Sequence, residues 1–255
     1  MTEVTQRIGT YRYRILALVF MATTINYFDR SIIGVLAPTL QKLFGWDNQD
    51  YSYIIASFKI AYGIGLLFIG GIIDKIGTKM GYTLSIAIWS LFGMLHAAVR
   101  PAFSLIGFMV ARFGLGIGES GNFPAAIKTV AEWFPKRDRA FATGIFDAST
   151  SVGAILAPVI VGLIVSKDGD NWQIPFLFTG LLSSLWVYLW LKTYRKPEEH
   201  HNVYNWRHVR NIHTSYDSYF CIHYGKFSYC FSYRFGYDNR MVAMEINEIL
   251  GVRLK

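Results

Sequence analysis

Cysteine is almost absent: the 255 residues contain two, Cys221 and Cys230, both near the C-terminal end. That excludes a disulfide framework and a thiolate metal site. Charge is scarce too, at 16% of residues against 53% hydrophobic ones. Five of the six histidines lie beyond Glu199, so the remainder has little metal-binding or general-base capacity. No nucleophile–base set appears, so the chain is not read as an enzyme, and no metal or organic cofactor is expected. A small-residue cleavage site is also missing after the polar first twelve residues. The first apolar stretch is therefore expected to act as its own insertion signal.

What is present is long apolar blocks. Six are each long enough for ~20 helical residues across a bilayer, at roughly 15–36, 52–73, 80–99, 103–125, 140–166 and 174–193. Backbone in hydrocarbon must satisfy its hydrogen bonds within the segment, which selects helix. The expected fold class is thus an all-α membrane protein with six transmembrane helices over 1–196. A net charge of +8 raises the question of nucleic acid, but the basic residues cluster in short loops between the blocks. Membrane lipid and topology explain them, and no nucleic-acid partner is expected. Arg7, Arg12, Arg14, Lys75, Lys79, Lys136, Arg137, Arg139, Lys192, Arg195 and Lys196 fall on one side, and Lys42, Arg100 and Lys167 on the other. Both ends of the bundle are therefore expected to be cytoplasmic.

Charges also lie inside the blocks. Asp29 and Arg30 sit in the first span, Lys59 in the second, and Arg112 and Glu119 in the fourth. An ionisable residue at that depth is a functional-site hypothesis by default. At the helical rise, Asp29, Arg30, Lys59 and Arg112 all fall roughly 8–13 Å below the outer end of their spans. Glu119 shares a face with Arg112, roughly 10 Å deeper. Arg30, Lys59 and Arg112 together suit an organic anion. A partly desolvated Asp29 or Glu119 is suited to exchanging protons. Asp29 also has the charge to neutralise Arg112 when substrate is absent, a pairing that serves either gating or structure alone. Lys59 has the alternative of snorkelling to the interface. Asp147, with Ser149, Thr150 and Ser151 beside it, is a weaker candidate for contacting a polyol, because such hydroxyls more often bond back to their own helix.

Gly116, Gly118 and Gly121 match the spacing of a dinucleotide-binding loop, but no strand precedes them. Gly114 and Gly118 read instead as a small-residue face for close helix packing, as do Gly63, Gly144, Gly153 and Gly162. After the second span, Gly70, Asp74, Lys75, Gly77 and Lys79 form a tight, charged loop. Residues 197–255 change character, becoming rich in Tyr, His, Asn and Ser. They read as an irregular, disordered tail, or as out-of-frame translation beyond codon 200 of a longer gene.

The loop Gly70 to Lys79 resembles the loop signature of the major facilitator superfamily, and Arg112 to Gly116 is similar to its second motif. Asn26-Tyr27-Phe28-Asp29-Arg30 and the stretch from Arg112 to Pro135 resemble the anion:cation symporter family, particularly its bacterial hexuronate, galactonate and glucarate carriers. The resemblance covers roughly 10–199. It implies the N-terminal six-helix half of a twelve-helix carrier in the cell (inner) membrane, binding its substrate against a complementary C-terminal half. It implies that Tyr27, Arg30 and Tyr62 contact a sugar acid, that Asp29 pairs with Arg112, and that Asp29 and Glu119 exchange protons, the proton being the coupling ion. Lys59 matches no motif of the family. The competing expectation is a non-transporting membrane fragment or scaffold that needs a second half.

Overall fold

A computed structural model describes residues 3–166, 169–195, 216–224 and 227–235. Lys167, Lys196 and the tail segments outside the last two ranges lie outside the described residues. Among the described residues, seven α-helices follow one another: α1 (Glu3–Phe44), α2 (Asn48–Ile76), α3 (Thr78–Ala97), α4 (Ser104–Glu119), α5 (Asn122–Trp133), α6 (Lys136–Ile164) and α7 (Ile174–Thr193). Five of the described stretches are long and apolar enough to cross a membrane: Asn48–Ile76, Thr78–Ala97, Pro101–Trp133, Lys136–Ile164 and Ile174–Thr193. The first expected span, 15–36, lies inside the 42-residue α1 but is diluted by Thr23, Thr24, Asn26, Asp29 and Arg30. Large apolar side chains such as Leu67, Ile106, Ile155, Leu163 and Leu181 are exposed on the outside of the bundle. In a membrane that surface faces lipid at no cost.

Local chemistry sets the helix ends. Asp47 caps α2 reciprocally: its carboxylate accepts from the Asp50 amide at 2.7 Å, and Asp50 accepts from the Asp47 amide at 3.2 Å. Gly77 separates α2 from α3 at φ 85° and ψ 156°, a conformation essentially reserved for glycine. The fourth expected span, 103–125, proves to be two helices. Pro124 lacks the N–H that would bond the Ser120 carbonyl, and the chain turns at Ser120–Gly121 with both residues still in the right-handed helical region. The break falls immediately after Glu119.

The bundle is built on α1 against α6, α2 against α4, and α3 against both α4 and α7. Gly114 and Gly118 lie against Phe92 and Trp89 of α3, Gly116 against the Phe58 carbonyl of α2, and Gly153 against the Thr24 carbonyl of α1. Gly63, Gly144 and Gly162 instead face open space, so the packing role expected for them does not hold. One apolar cluster, with Tyr82, Trp186 and Trp190, fills the end of the bundle nearer Gly77. A second, with Trp46, Phe108 and Trp172, fills the opposite end. Asn26, Asp29, Arg112, Glu119 and Thr179 are buried between them.

The tail forms a separate unit. Where an irregular segment is expected, it carries strands β1 (Tyr216–Tyr224) and β2 (Phe227–Phe235), paired antiparallel from Tyr216↔Phe235 to Tyr224↔Phe227. Runs rich in Tyr, Phe and Ile favour that extended pairing.

Candidate functional site

Successive residues on a helix point about 100° apart, so Asp29 and Arg30 face different neighbours. Arg30 turns toward α4 and α2. Its Nε donates to the Glu119 carboxylate. Its guanidinium lies 4.4 Å from the ring centre of Tyr62, 5.0 Å from Tyr27 and 5.3 Å from Phe58. Phe58 and Tyr62, one turn apart on α2, stack at 5.9 Å to make one wall of this cage. Guanidinium over aromatic faces is favourable by up to ~2 kcal/mol when desolvated. The Arg30 side chain is 21% exposed, whereas Glu119 is fully enclosed. One oxygen, Glu119 Oε1, and one nitrogen, Arg30 Nη2, are buried without a protein partner.

Asp29 turns the other way, to α7 and α3. Thr179 Oγ1 donates to its Oδ1 at 3.1 Å. Its Oδ2 lies against Gly93, 3.3 Å from where a β-carbon would stand, so only glycine leaves that room freely. Arg112 is buried in the same layer, with Nε and Nη2 unpartnered. The expected Asp29–Arg112 pair is not a direct contact. Among the described residues no carboxylate lies within 4.0 Å of Arg112, although Asp29 and Arg112 remain within electrostatic reach of each other. The rotation of α1 assigns the close pairing to Arg30 and Glu119 instead.

The remaining expected residues divide. Tyr27 and Tyr62 stand at Arg30. Lys59 is exposed on α2 and makes no hydrogen bond or ion pair among the described residues, so it stands outside the cage. Ser149 bonds back to the Phe146 carbonyl of its own helix, which leaves its hydroxyl hydrogen unavailable for a polyol. Residues not anticipated also contribute. Phe58 and Thr179 carry no signal in an apolar run. Asn26 is fully buried with both side-chain polar atoms unpartnered. Asn122, also buried, donates to Thr23 at 3.2 Å and accepts from Tyr82 at 2.8 Å, joining α1, α3 and α5 just beyond the break.

At the Gly77 end, Asp74 pairs with Lys128 of α5 at 2.6 Å, and Lys128 also donates to the Ile73 carbonyl. Lys75 is exposed and Gly70 has open space around it. The Lys79 carbonyl accepts from the Trp190 indole at 3.1 Å. Glu132 receives the hydroxyls of Thr78 and Tyr194. Burial and then the neighbouring Glu132 push the Tyr194 phenol up from its ordinary range, which keeps it a donor. The loop is thus tied to both α5 and the end of α7.

Comparison with known proteins places this geometry in context. Residues 19–233 match the Major Facilitator Superfamily. A galacturonate transporter of Dickeya chrysanthemi is 37% identical over 193 residues, covering 76% of this chain and 54% of the relative. A hexuronate transporter of Escherichia coli K12 is 35% identical over 194 residues, covering 76% and 44%. The chain therefore spans about half the length of the curated relatives it matches. Among solved structures, a bacterial homolog of the human lysosomal transporter Spinster, inward-facing and unoccupied, superposes with a TM-score of 0.67. It is 22% identical, with coverage of 73% of this chain and 44% of that one, and so speaks to the fold alone.

Proposed function

The chain belongs to the major facilitator superfamily, and on that premise we propose that it supplies one six-helix half of a proton-coupled carrier for hexuronate-like sugar acids. The observation that supports this best is the Arg30 cage. A guanidinium held by Tyr27, Phe58 and Tyr62, partly open to solvent and paired to an enclosed Glu119, presents one face to an incoming carboxylate. A substrate carboxylate competes with Glu119 for the same fork. Once displaced, Glu119 sits enclosed without its cation, where a proton becomes its cheapest partner. Substrate binding and proton uptake are then linked through Arg30. Asp29 takes a second proton beside Arg112, and relaxing these charges favours opening toward the cytoplasm. The likeness to galacturonate and hexuronate transporters supports the substrate class.

The test is uptake of labelled galacturonate into cells lacking other carriers. The 255-residue chain co-expressed with the second half of a matching carrier is expected to accumulate substrate in proportion to an inward proton gradient. Accumulation unaffected by collapse of that gradient rules out proton coupling. Silence in every pairing favours the second reading, a membrane fragment without transport, for which the half-length match to its relatives is the motivating observation.

A further inference from the structure

We propose that Thr179 is a hydroxyl rotor that keeps Asp29 hydrogen-bonded both with and without its proton, making it a positioning residue for proton uptake. This rests on the reading of Asp29 as a proton-exchanging acid.

Thr179 is completely buried on α7, and three acceptors surround its Oγ1: Asp29 Oδ1 at 3.1 Å, the Phe176 carbonyl at 3.1 Å and the Pro175 carbonyl at 3.3 Å. A hydroxyl has one hydrogen and two lone pairs, so it serves one acceptor at a time. With Asp29 ionised, the hydrogen points to Oδ1 and the carboxylate is satisfied. With Asp29 protonated, that arrangement sets two donors against each other, and the alternative geometry is already in place. The Thr179 hydrogen swings to the Phe176 or Pro175 carbonyl, and its oxygen accepts the new Asp29 O–H. One O–H bond forms, on Asp29, from the incoming proton. Thr179 keeps its own hydrogen throughout, and only the direction of the bond reverses.

The surroundings hold both ends of the rotor still. From α3, the backbone at Gly93 closes against Asp29 Oδ2. His96 follows one turn later, its Nδ1 on the Phe92 and Gly93 carbonyls and its ring stacked on Phe176 at 4.9 Å. That stack fixes the turn carrying the alternative acceptor. The charged groups acting on Asp29 are Arg112 and Glu119 from α4 and Arg30 from α1 itself. Among the described residues, the hydrogen bond to Asp29 from α7 comes from the Thr179 hydroxyl.

Infrared titration of the full chain in lipid nanodiscs tests this, with Asp29→Asn used to assign the protonated Asp29 carbonyl band. In Thr179→Val the shape is kept and the hydroxyl lost. The band is expected at higher wavenumber, because the protonated acid has lost its acceptor. The titration midpoint is expected to rise by about one pH unit, because the bond lost from the charged form is the stronger one. Thr179→Ser is expected to return both readouts to those of the parent chain. Should the valine variant fail to insert, Thr179→Ala poses the same question. A band and midpoint untouched by loss of the hydroxyl overturn the rotor while leaving Asp29 as a proton site. A parent chain with no Asp29-dependent band overturns both.

Discussion

Arg30 and Glu119 form an ion pair with unequal access to water: the arginine side chain is 21% exposed and the glutamate is fully enclosed. The pair is therefore open to competition from its cationic side only. Of the two, Arg30 is the one that solvent reaches, while Glu119 is enclosed with Arg112 also within electrostatic reach.

The unequal pair predicts different outcomes for two substitutions at Glu119. Glu119→Gln keeps the shape and removes the charge. In an assembled carrier it is expected to abolish proton-driven accumulation while sparing substrate counterflow, both measured with labelled galacturonate. Intact accumulation disproves the proton role. Glu119→Ala leaves Arg30 uncompensated, which costs roughly 3 kcal/mol, at the lower end for broken buried pairs because Arg30 retains some solvent. A thermal melt in detergent is expected to show that loss, and Arg30→Ala combined with Glu119→Ala to recover part of it.

How much of this was legible in the sequence depends on what each residue contrasts with. Asp29, Arg30, Arg112 and Glu119 stand out because charge is costly in an apolar span. Their depth follows from the helical rise alone. Which carboxylate meets which guanidinium does not, since that depends on how α1 is rotated against α3, α4 and α7. Asp29 and Arg30 are adjacent in sequence yet face different neighbouring helices. Phe58 and Thr179 are ordinary residues of an apolar run, brought to Arg30 and Asp29 only by how the helices pack. The break after Glu119 had a signal, Pro124 four residues beyond Ser120, but the glycine run around it reads equally as a packing face.

Glycines offer a sharper test of the packing. A β-carbon on Gly118 would lie 2.5 Å from the Trp89 backbone nitrogen, which cannot move without shifting α3. Gly144 on α6 has nothing within 4 Å. Gly118→Ala is expected to destabilise by about 1–3 kcal/mol through overpacking. Gly144→Ala is expected to be neutral, or stabilising by up to ~1 kcal/mol through helix propensity. Thermal midpoints of the two variants in the same detergent decide the matter, and equal midpoints would contradict this helix register.

Two changes in the loop at Gly77 should also separate. Gly77→Ala forces a side chain into φ 85°, ψ 156°, at a cost of about 1–3 kcal/mol. Asp74→Asn breaks a bridge whose partners are 29% and 41% exposed, worth less than about 1 kcal/mol. The expected order in a melting experiment is therefore Gly77→Ala well below Asp74→Asn. The reverse order would show that the loop depends on its charges more than on its backbone.

Orientation in the membrane is open to direct labelling. Lys75, Lys79, Lys128, Lys136, Arg137 and Lys192 gather at the Gly77 end, while Lys42 and Arg100 are at the opposite one. Basic residues are retained on the cytoplasmic side during insertion, so the Gly77 end is expected to label as the inside face. With Cys221 and Cys230 replaced by serine, Lys42→Cys is expected to react with an impermeant maleimide in intact cells. Lys75→Cys is expected to react only after permeabilisation. Labelling in the opposite sense would overturn this orientation.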